Sequence, residues 1–438
     1  MVREPLMSAF EANDTYAPLI PAPAARRAFT ARDAFALWFS LGIGLLVLQA
    51  GALLVPGLSL GAAFAAILIG SLLGVLLLAT ASVIGADTGL SAMANLRPTL
   101  GVRGASIAAV LNAIQLAGWG AFEIIAMRDA ADALTRQTFG FSNALVWTLV
   151  FGAAATALAL LGPLSFVRRF LRDWGLALLL AGAAWLTWRL MANYDLAALF
   201  AKAGTGEMTF AGGIDLVMAM PLSWLPLIAD YSRFGRTPGS MFRGSFFGYL
   251  LANVWFFGLG AAYALASGGG ETMLITALAA TGGGIALLLI LIDETDNAFA
   301  DIFSGAVSTS TLTGLGVAPL AVGYGILCTL IALVVPLARY EHFLLIIGSV
   351  FAPLFGVLFA DHFLVRGRQI DAGSIAGPGG SYWFSAGWHV RGLIAWAAGI
   401  AIYQLLANYQ AAIGATLPAF IVGGGAYLLL MAIRPRNG

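Results

Sequence analysis

The sequence predicts an all-α polytopic membrane protein with 12 transmembrane helices. Composition is the first reason. Of 438 residues, 60% are hydrophobic and only 10% are charged, against about a quarter charged in a soluble domain. The second reason is pattern. Apolar runs recur along the whole length, each near the ~20 residues that cross a bilayer as helix. They are continuous rather than alternating, which argues against a β-barrel. The spans read at 34–56, 60–84, 104–127, 144–163, 174–192, 212–231, 244–266, 283–305, 313–336, 342–363, 389–407 and 415–433. Their connections are short and leave no room for a soluble catalytic domain.

Ahead of the first span, residues 1–33 hold Pro5, Pro18, Pro21 and Pro23 with scattered charges. They have no apolar core before a cleavage site, so they read as a tail rather than a signal peptide. With that tail in the cytoplasm, the inside segments collect Arg3, Arg26, Arg27 and Arg32, then Arg97 and Arg103, then Arg168, Arg169 and Arg172. Arg233, Arg236, Arg243, Arg366, Arg368, Arg391, Arg434 and Arg436 follow. These are 17 of the 22 Lys and Arg. The bias places both termini in the cytoplasm and the protein in the cell inner membrane. The single cysteine, Cys328, allows neither an intrachain disulfide nor a thiolate metal cluster.

Two spans carry helix-weakening residues at related positions. Span 34–56 contains "WFSLGIGLL", with Gly42 and Gly44. Span 212–231 contains "MAMPLSWLPLIAD", where Pro221 and Pro226 each lack a backbone donor. Adding 178 to 42 reaches Met220, and the same offset carries Gln115 onto Asp293. Interrupted helices at matching positions mark inverted-repeat transporters. Residues 34–192 and 212–363 are therefore expected as two five-helix halves, with 389–433 adding two C-terminal helices. Against this stands the plain frequency of Gly and Pro in membrane helices.

The segment "LLLILIDETDNAFADIFSG", 287–305, places Asp293, Glu294, Asp296 and Asp301 in an apolar helix, in a chain with only 21 Asp and Glu. At 100° per residue these acids and Asn297 fall within roughly 160° of arc. A carboxylate at mid-membrane costs ~2.5–3.5 kcal/mol on insertion scales. Protonation, a bound cation or hydrogen bonds from neighbours would offset that cost. A second stripe, in "LNAIQLAGWGAFEIIAM", brings Asn112, Gln115, Trp119 and Glu123 within about 80° of one another. An indole and an amide on one face suit a flat heteroaromatic ligand, stacked on the ring and read at its edges. Ordinary interhelical packing, with Trp119 toward lipid, is the competing reading. Between Pro221 and Pro226, irregular backbone is tolerated at this depth only where it is buried or lines a cavity. Ser223 and Trp224 would then face the site; a simple proline kink is the alternative.

Four segments resemble the nucleobase–cation symporter-1 family, which includes cytosine permeases, hydantoin transporters and hydroxymethylpyrimidine transporters. They are "LIGSLLGVLLLATASVIGADTGL" at 68–90, "LGVRGASIAAVLNAIQLAGWG" at 100–120, "ADYSRFGR" at 229–236 and "TDNAFADIFSG" at 295–305. The resemblance implies a LeuT-like 5+5 inverted repeat plus two C-terminal helices, and secondary active transport rather than enzymatic chemistry. It also implies a substrate held between the first, third, sixth and eighth spans. Trp119 matches the stacking tryptophan of the third span, and Gln115 lies nearby. Met220 to Ser223 match the unwound part of the sixth, with Pro221 where an aromatic is often found and Trp224 as a second ring. Asp293 and Asn297 complete the expected substrate residues.

Gly42, Gly44, Asp293 and Glu294 are the expected coupling residues. Where the family offers hydroxyls to a sodium ion, this chain offers the two acids. They would hold Na+, carry a proton, or accept hydrogen bonds from an aminopyrimidine. No other cofactor, no nucleic acid and no obligate protein partner is implied. The expected ligand is a small heteroaromatic base, with hydroxymethylpyrimidine the first choice and cytosine or another nucleobase the second. A transporter of similar fold for an amino acid is a further reading. An intramembrane hydrolase built on the acids plus His342 or His362 is a reading of another class, and no HExxH-type spacing supports it.

Overall fold

In the computed structural model the described residues are 17–268, 284–336, 340–375, 377–409 and 414–433, with the side chains at 166, 168–170, 284–290, 292–293 and 340 outside that set. Among them there is no strand, only two isolated bridges. The first expected span is two helices, α1 (Ala31–Ser40) and α2 (Leu45–Ala52), bent by 59°. A capping box starts α1. Thr30 Oγ1 accepts the Asp33 N–H, and the Asp33 carboxylate accepts the Thr30 N–H at 2.8 Å. Next come α3 (Leu60–Thr88), α4 (Val102–Phe139), α5 (Ala144–Leu161) and α6 (Leu176–Asn193). The sixth span is again broken, into α7 (Phe210–Ser223) and α8 (Ile228–Ser232). The remainder are α9 (Pro238–Ser267), α10 (Gly284–Thr313), α11 (Val317–Val334), α12 (Tyr340–Phe359), α13 (Val390–Asn408) and α14 (Thr416–Ala432).

Every expected span thus has helix within it. Among the described residues, eight helices are long and apolar enough to cross a membrane, nine with the bent α1–α2 pair. The short α7 and α14 and the acid-bearing α10 fall outside that count. The second break differs from the expectation. The helix runs through Pro221 and stops after Ser223, because the Pro221 ring seats against Gly74 of α3 instead of opening the turn.

α10 packs most extensively on α4, α9 lies along α1, α2 and α3, and α14 joins α12 and α13. Glycine sets the closest crossing: a Cβ on Gly260 of α9 would collide with the Leu48 carbonyl of α2. The lipid-facing perimeter includes faces of α5, α6, α11, α13 and α14. Leu149, Leu178, Ile326 and Ile394 are exposed there, as a bilayer solvent permits.

Much of the expected tail is packed against the bundle. Ala22 N–H bonds Gly89 O at 2.8 Å, and Arg27 Nη1 bonds Ala86 O at 3.1 Å, both at the end of α3. Phe29 N–H bonds Phe234 O at 2.9 Å, and Arg236 N–H bonds Phe29 O at 2.9 Å, just after α8. Arg233 donates to the carbonyls of Gly89, Ala17 and Ile20. In the last turn of α3, Asp87 takes His362 Nε2 at 3.1 Å and Arg368 Nη2 at 2.7 Å, both from the segment past α12. That bond raises the Arg368 guanidinium above its ordinary pKa.

Candidate functional site

The two helix breaks and the two polar stripes meet at one small cavity of about 20 Å3, room for roughly one water molecule. It is lined from α4 by Trp119 and Glu123, from α10 by Glu294, Asn297 and Asp301, from the end of α7 by Met220 and Ser223, and from the breaks by residues that include Gly44 and Trp224. All are buried, with Trp119 5% and Trp224 7% exposed.

At the first break, the N–H groups at the start of α2 have no acceptor within the helix. Glu294 Oε2 accepts the Leu45 N–H at 2.8 Å. An anion is favoured at such a helix start. Asn297 Nδ2 donates to the Ile43 carbonyl at 3.1 Å. Gly44 allows this approach, since a Cβ there would lie 2.9 Å from Glu294 Oε2 and 3.1 Å from Asn297 Nδ2. One turn below, Ser40 Oγ donates to Asp296 Oδ2 at 2.6 Å. At the second break the free group is a carbonyl. Asn112 Nδ2 donates to Pro226 O at 3.1 Å and also reaches Ser308 Oγ of α10 at 2.8 Å. Ser223 Oγ turns back to Met220 O at 2.7 Å. The Trp224 ring stands edge-on to Trp38, centroids 6.0 Å apart. Phe343 of α12 stands edge-on to Trp119 at 5.3 Å and backs it from outside the cavity.

The expected residues divide. Trp119, Met220, Ser223, Trp224, Asn297, Gly44 and Glu294 come together at the cavity. Gln115 does not line it; its Nε2 donates to Asn112 Oδ1 at 2.6 Å, which steadies the residue that holds Pro226. Pro221 faces α3, and Gly42 faces Ala252 and Tyr249 of α9 rather than the acids. The Asp293 side chain lies outside the described residues. Two residues left without a role, Glu123 and Asp301, do line the cavity. The signal for Glu123 was present: it is four residues beyond Trp119, on the same helix face. His342 is exposed at the far end of α12, and His362 is committed to Asp87. Neither reaches the acids, so the geometry does not assemble the hydrolase reading.

The family model described as permease for cytosine/purines, uracil, thiamine, allantoin matches residues 21–430. The hydantoin permease of Microbacterium maritypicum is 24% identical over 381 residues, 81% of this chain and 77% of that protein. Among solved structures, the chain is similar to Mhp1, a nucleobase-cation-symport-1 family transporter, in a closed conformation with bromovinylhydantoin bound. The TM-score is 0.81 at 19% identity, over 95% of this chain and 94% of that one. For the inward-facing conformation of Mhp1 the TM-score is 0.76 at 21% identity, over 94% and 91%. A Na+-coupled sialic acid symporter in a substrate-bound outward-open state matches at 0.62 and 13% identity, over 97% and 95%. The all-α fold of these transporters is the fold of this chain.

Proposed function

The chain belongs to the nucleobase–cation symporter-1 family of permeases, and from that premise we propose that it imports a pyrimidine-type base, hydroxymethylpyrimidine first and cytosine second, by alternating access coupled to Na+ or H+. It is a membrane transporter and not an enzyme. We place it in the cell inner membrane with both termini in the cytoplasm, on the arginine bias. We take 34–192 and 212–363 as its inverted halves, which the two broken helices support.

One observation carries the substrate reading. A small cavity at both breaks, which would widen to take a ring, sets two indoles, Trp119 and Trp224, beside three carboxyls and an amide, Glu123, Glu294, Asp301 and Asn297. Indoles stack a flat ring, and the polar groups read its edge. A coupling sodium ion would supply a positive charge that moves with the base. The oxygens that suit it lie where Ser40 meets Asp296, whose Oδ1 is buried without a donor among the described residues. Gly44 and Glu294 suit it less, because Glu294 already sits against the Leu45 N–H.

The test is uptake of radiolabelled hydroxymethylpyrimidine and cytosine into cells, first with sodium replaced and then with the pH gradient collapsed. Accumulation that stops under one of the two treatments supports the reading. No uptake of either base, or uptake indifferent to both treatments, overturns it.

A further inference from the structure

Far from the cavity, α4 and α13 start side by side, at the end of the bundle that the arginine bias assigns to the cytoplasm. The loop from α12 to α13 docks there. Arg103 N–H bonds Gly387 O at 2.8 Å, and His389 N–H bonds Leu100 O at 2.9 Å. A Cβ on Gly104 would touch Leu393 of α13 at 3.5 Å, so the two helix starts abut. Just ahead of these bonds, Phe384 and Ala386 hold φ of 44° and 53°, left-handed values that side-chain-bearing residues seldom adopt. The tight turn they make sets the Trp383 ring 5.4 Å from the Arg103 guanidinium carbon. It also stacks Phe384 on His389 at 4.2 Å.

Two arginines at this junction, Arg103 and Arg391, pair with no carboxylate among the described residues. The acids nearby are already occupied. Asp361 takes Thr99, Tyr427 and Arg366, and Asp371 of the loop takes the Ser374 hydroxyl. Both arginines also head apolar, lipid-exposed stripes. Arg103, Ile107, Val110 and Ile114 lie within about 60° of arc on α4, and the three apolar members are 42%, 45% and 61% exposed. On α13, Val390 and Ile394 are each 52% exposed beside Arg391. Unpaired positive charge above apolar stripes, with an indole at the same level, complements a negatively charged lipid. We propose that this junction binds an anionic phospholipid. Arg103 and Arg391 take its phosphate, as guanidinium groups do, Trp383 meets its glycerol region, and its chains follow the two stripes. The site stands apart from the cavity and does not depend on which base is carried.

The full-length protein, purified in detergent, is titrated with phosphatidylglycerol and separately with phosphatidylcholine, and bound lipid is counted by native mass spectrometry. Wild type takes phosphatidylglycerol in preference. R103Q/R391Q lowers that binding by ~10-fold or more, because each arginine near the headgroups adds its own attraction. Phosphatidylcholine binding stays as it was. The control, R236Q/R243Q, removes two exposed arginines at the start of α9 and just before it, and it leaves phosphatidylglycerol binding unchanged. Inorganic phosphate, which carries the charge without the chains, does not displace the lipid. Equal binding of the two lipids by wild type overturns the proposal. So does undiminished phosphatidylglycerol binding in R103Q/R391Q, an equal loss in R236Q/R243Q, or displacement by inorganic phosphate. Should R103Q/R391Q fail to fold, Arg391→Gln alone carries the test: a smaller drop supports the site, and no drop overturns it.

Discussion

The two broken helices present different chemistry, and the bundle answers each in kind. Between Ser40 and Leu45 the chain offers both an N–H and a carbonyl, and α10 meets the Leu45 N–H with the Glu294 carboxylate and the Ile43 carbonyl with the Asn297 amide. Between Ser223 and Ile228 the Pro226 carbonyl is met from α4 by the Asn112 amide. The first answer suits the positive start of a helix; the second gives a carbonyl the donor it lacks. Because Asn112 also holds Ser308 of α10, α4 and α10 form one frame around both breaks. The comparison teaches why a membrane helix carries so many acids and amides: several serve backbone ends rather than solvent.

The comparison breaks first at Gly44. A branched side chain in Gly44→Val would meet Glu294 and Asn297 at about 3 Å. Base uptake is expected to fall by at least ~10-fold, measured against the protein's level in the membrane. Glu294→Ala comes next, since it strands the buried Leu45 N–H. The expected cost is about 1–3 kcal/mol, read as a lower midpoint of thermal unfolding in detergent together with reduced uptake. Glu294→Gln keeps an acceptor there and should recover most of the stability. At the second break, Asn112→Ala is expected to cost ~1–2 kcal/mol by the same measurement. Asn112→Asp should be worse, because it sets a carboxylate against the Pro226 carbonyl. The smallest effect belongs to the perimeter. Ile421→Ala, at a residue 60% exposed on α14, should leave uptake within about twofold of wild type.

The long apolar runs were legible because each carries its own length requirement. Where the edges moved, local chemistry moved them. The third span was expected to stop at residue 127, yet α4 continues to Phe139. Its charged end is helical because charges four apart on a helix pair, as Asp132 and Arg136 do. The site was legible as faces but not as depth. Gln115 and Glu123 share a stripe, yet they stand eight residues apart, about 12 Å along the axis. Only the level of the breaks selects Glu123. Likewise, the helical wheel left Asp293 and Glu294 as equals. The Leu45 N–H, which comes from a distant part of the chain, gives Glu294 its defined place. The second break was read from Pro221 to Pro226, because a ring that lacks an N–H looks like a stop, yet the helix continues through Pro221 to Ser223. The seat of Pro221 against Gly74 is a tertiary contact that no local pattern announces.

The docked segment before α1 has a mechanical consequence. Phe29 stands immediately ahead of α1 and pairs through its backbone with Phe234 and Arg236, immediately past α8. Its ring also stands edge-on to Phe234 at 6.4 Å. The outer ends of these two half-helices are thus riveted together, while their inner ends terminate at the cavity. A displacement at either break is therefore expected to be carried to the other through that rivet, with α1 and α8 moving as one lever whose short arm ends at the cavity.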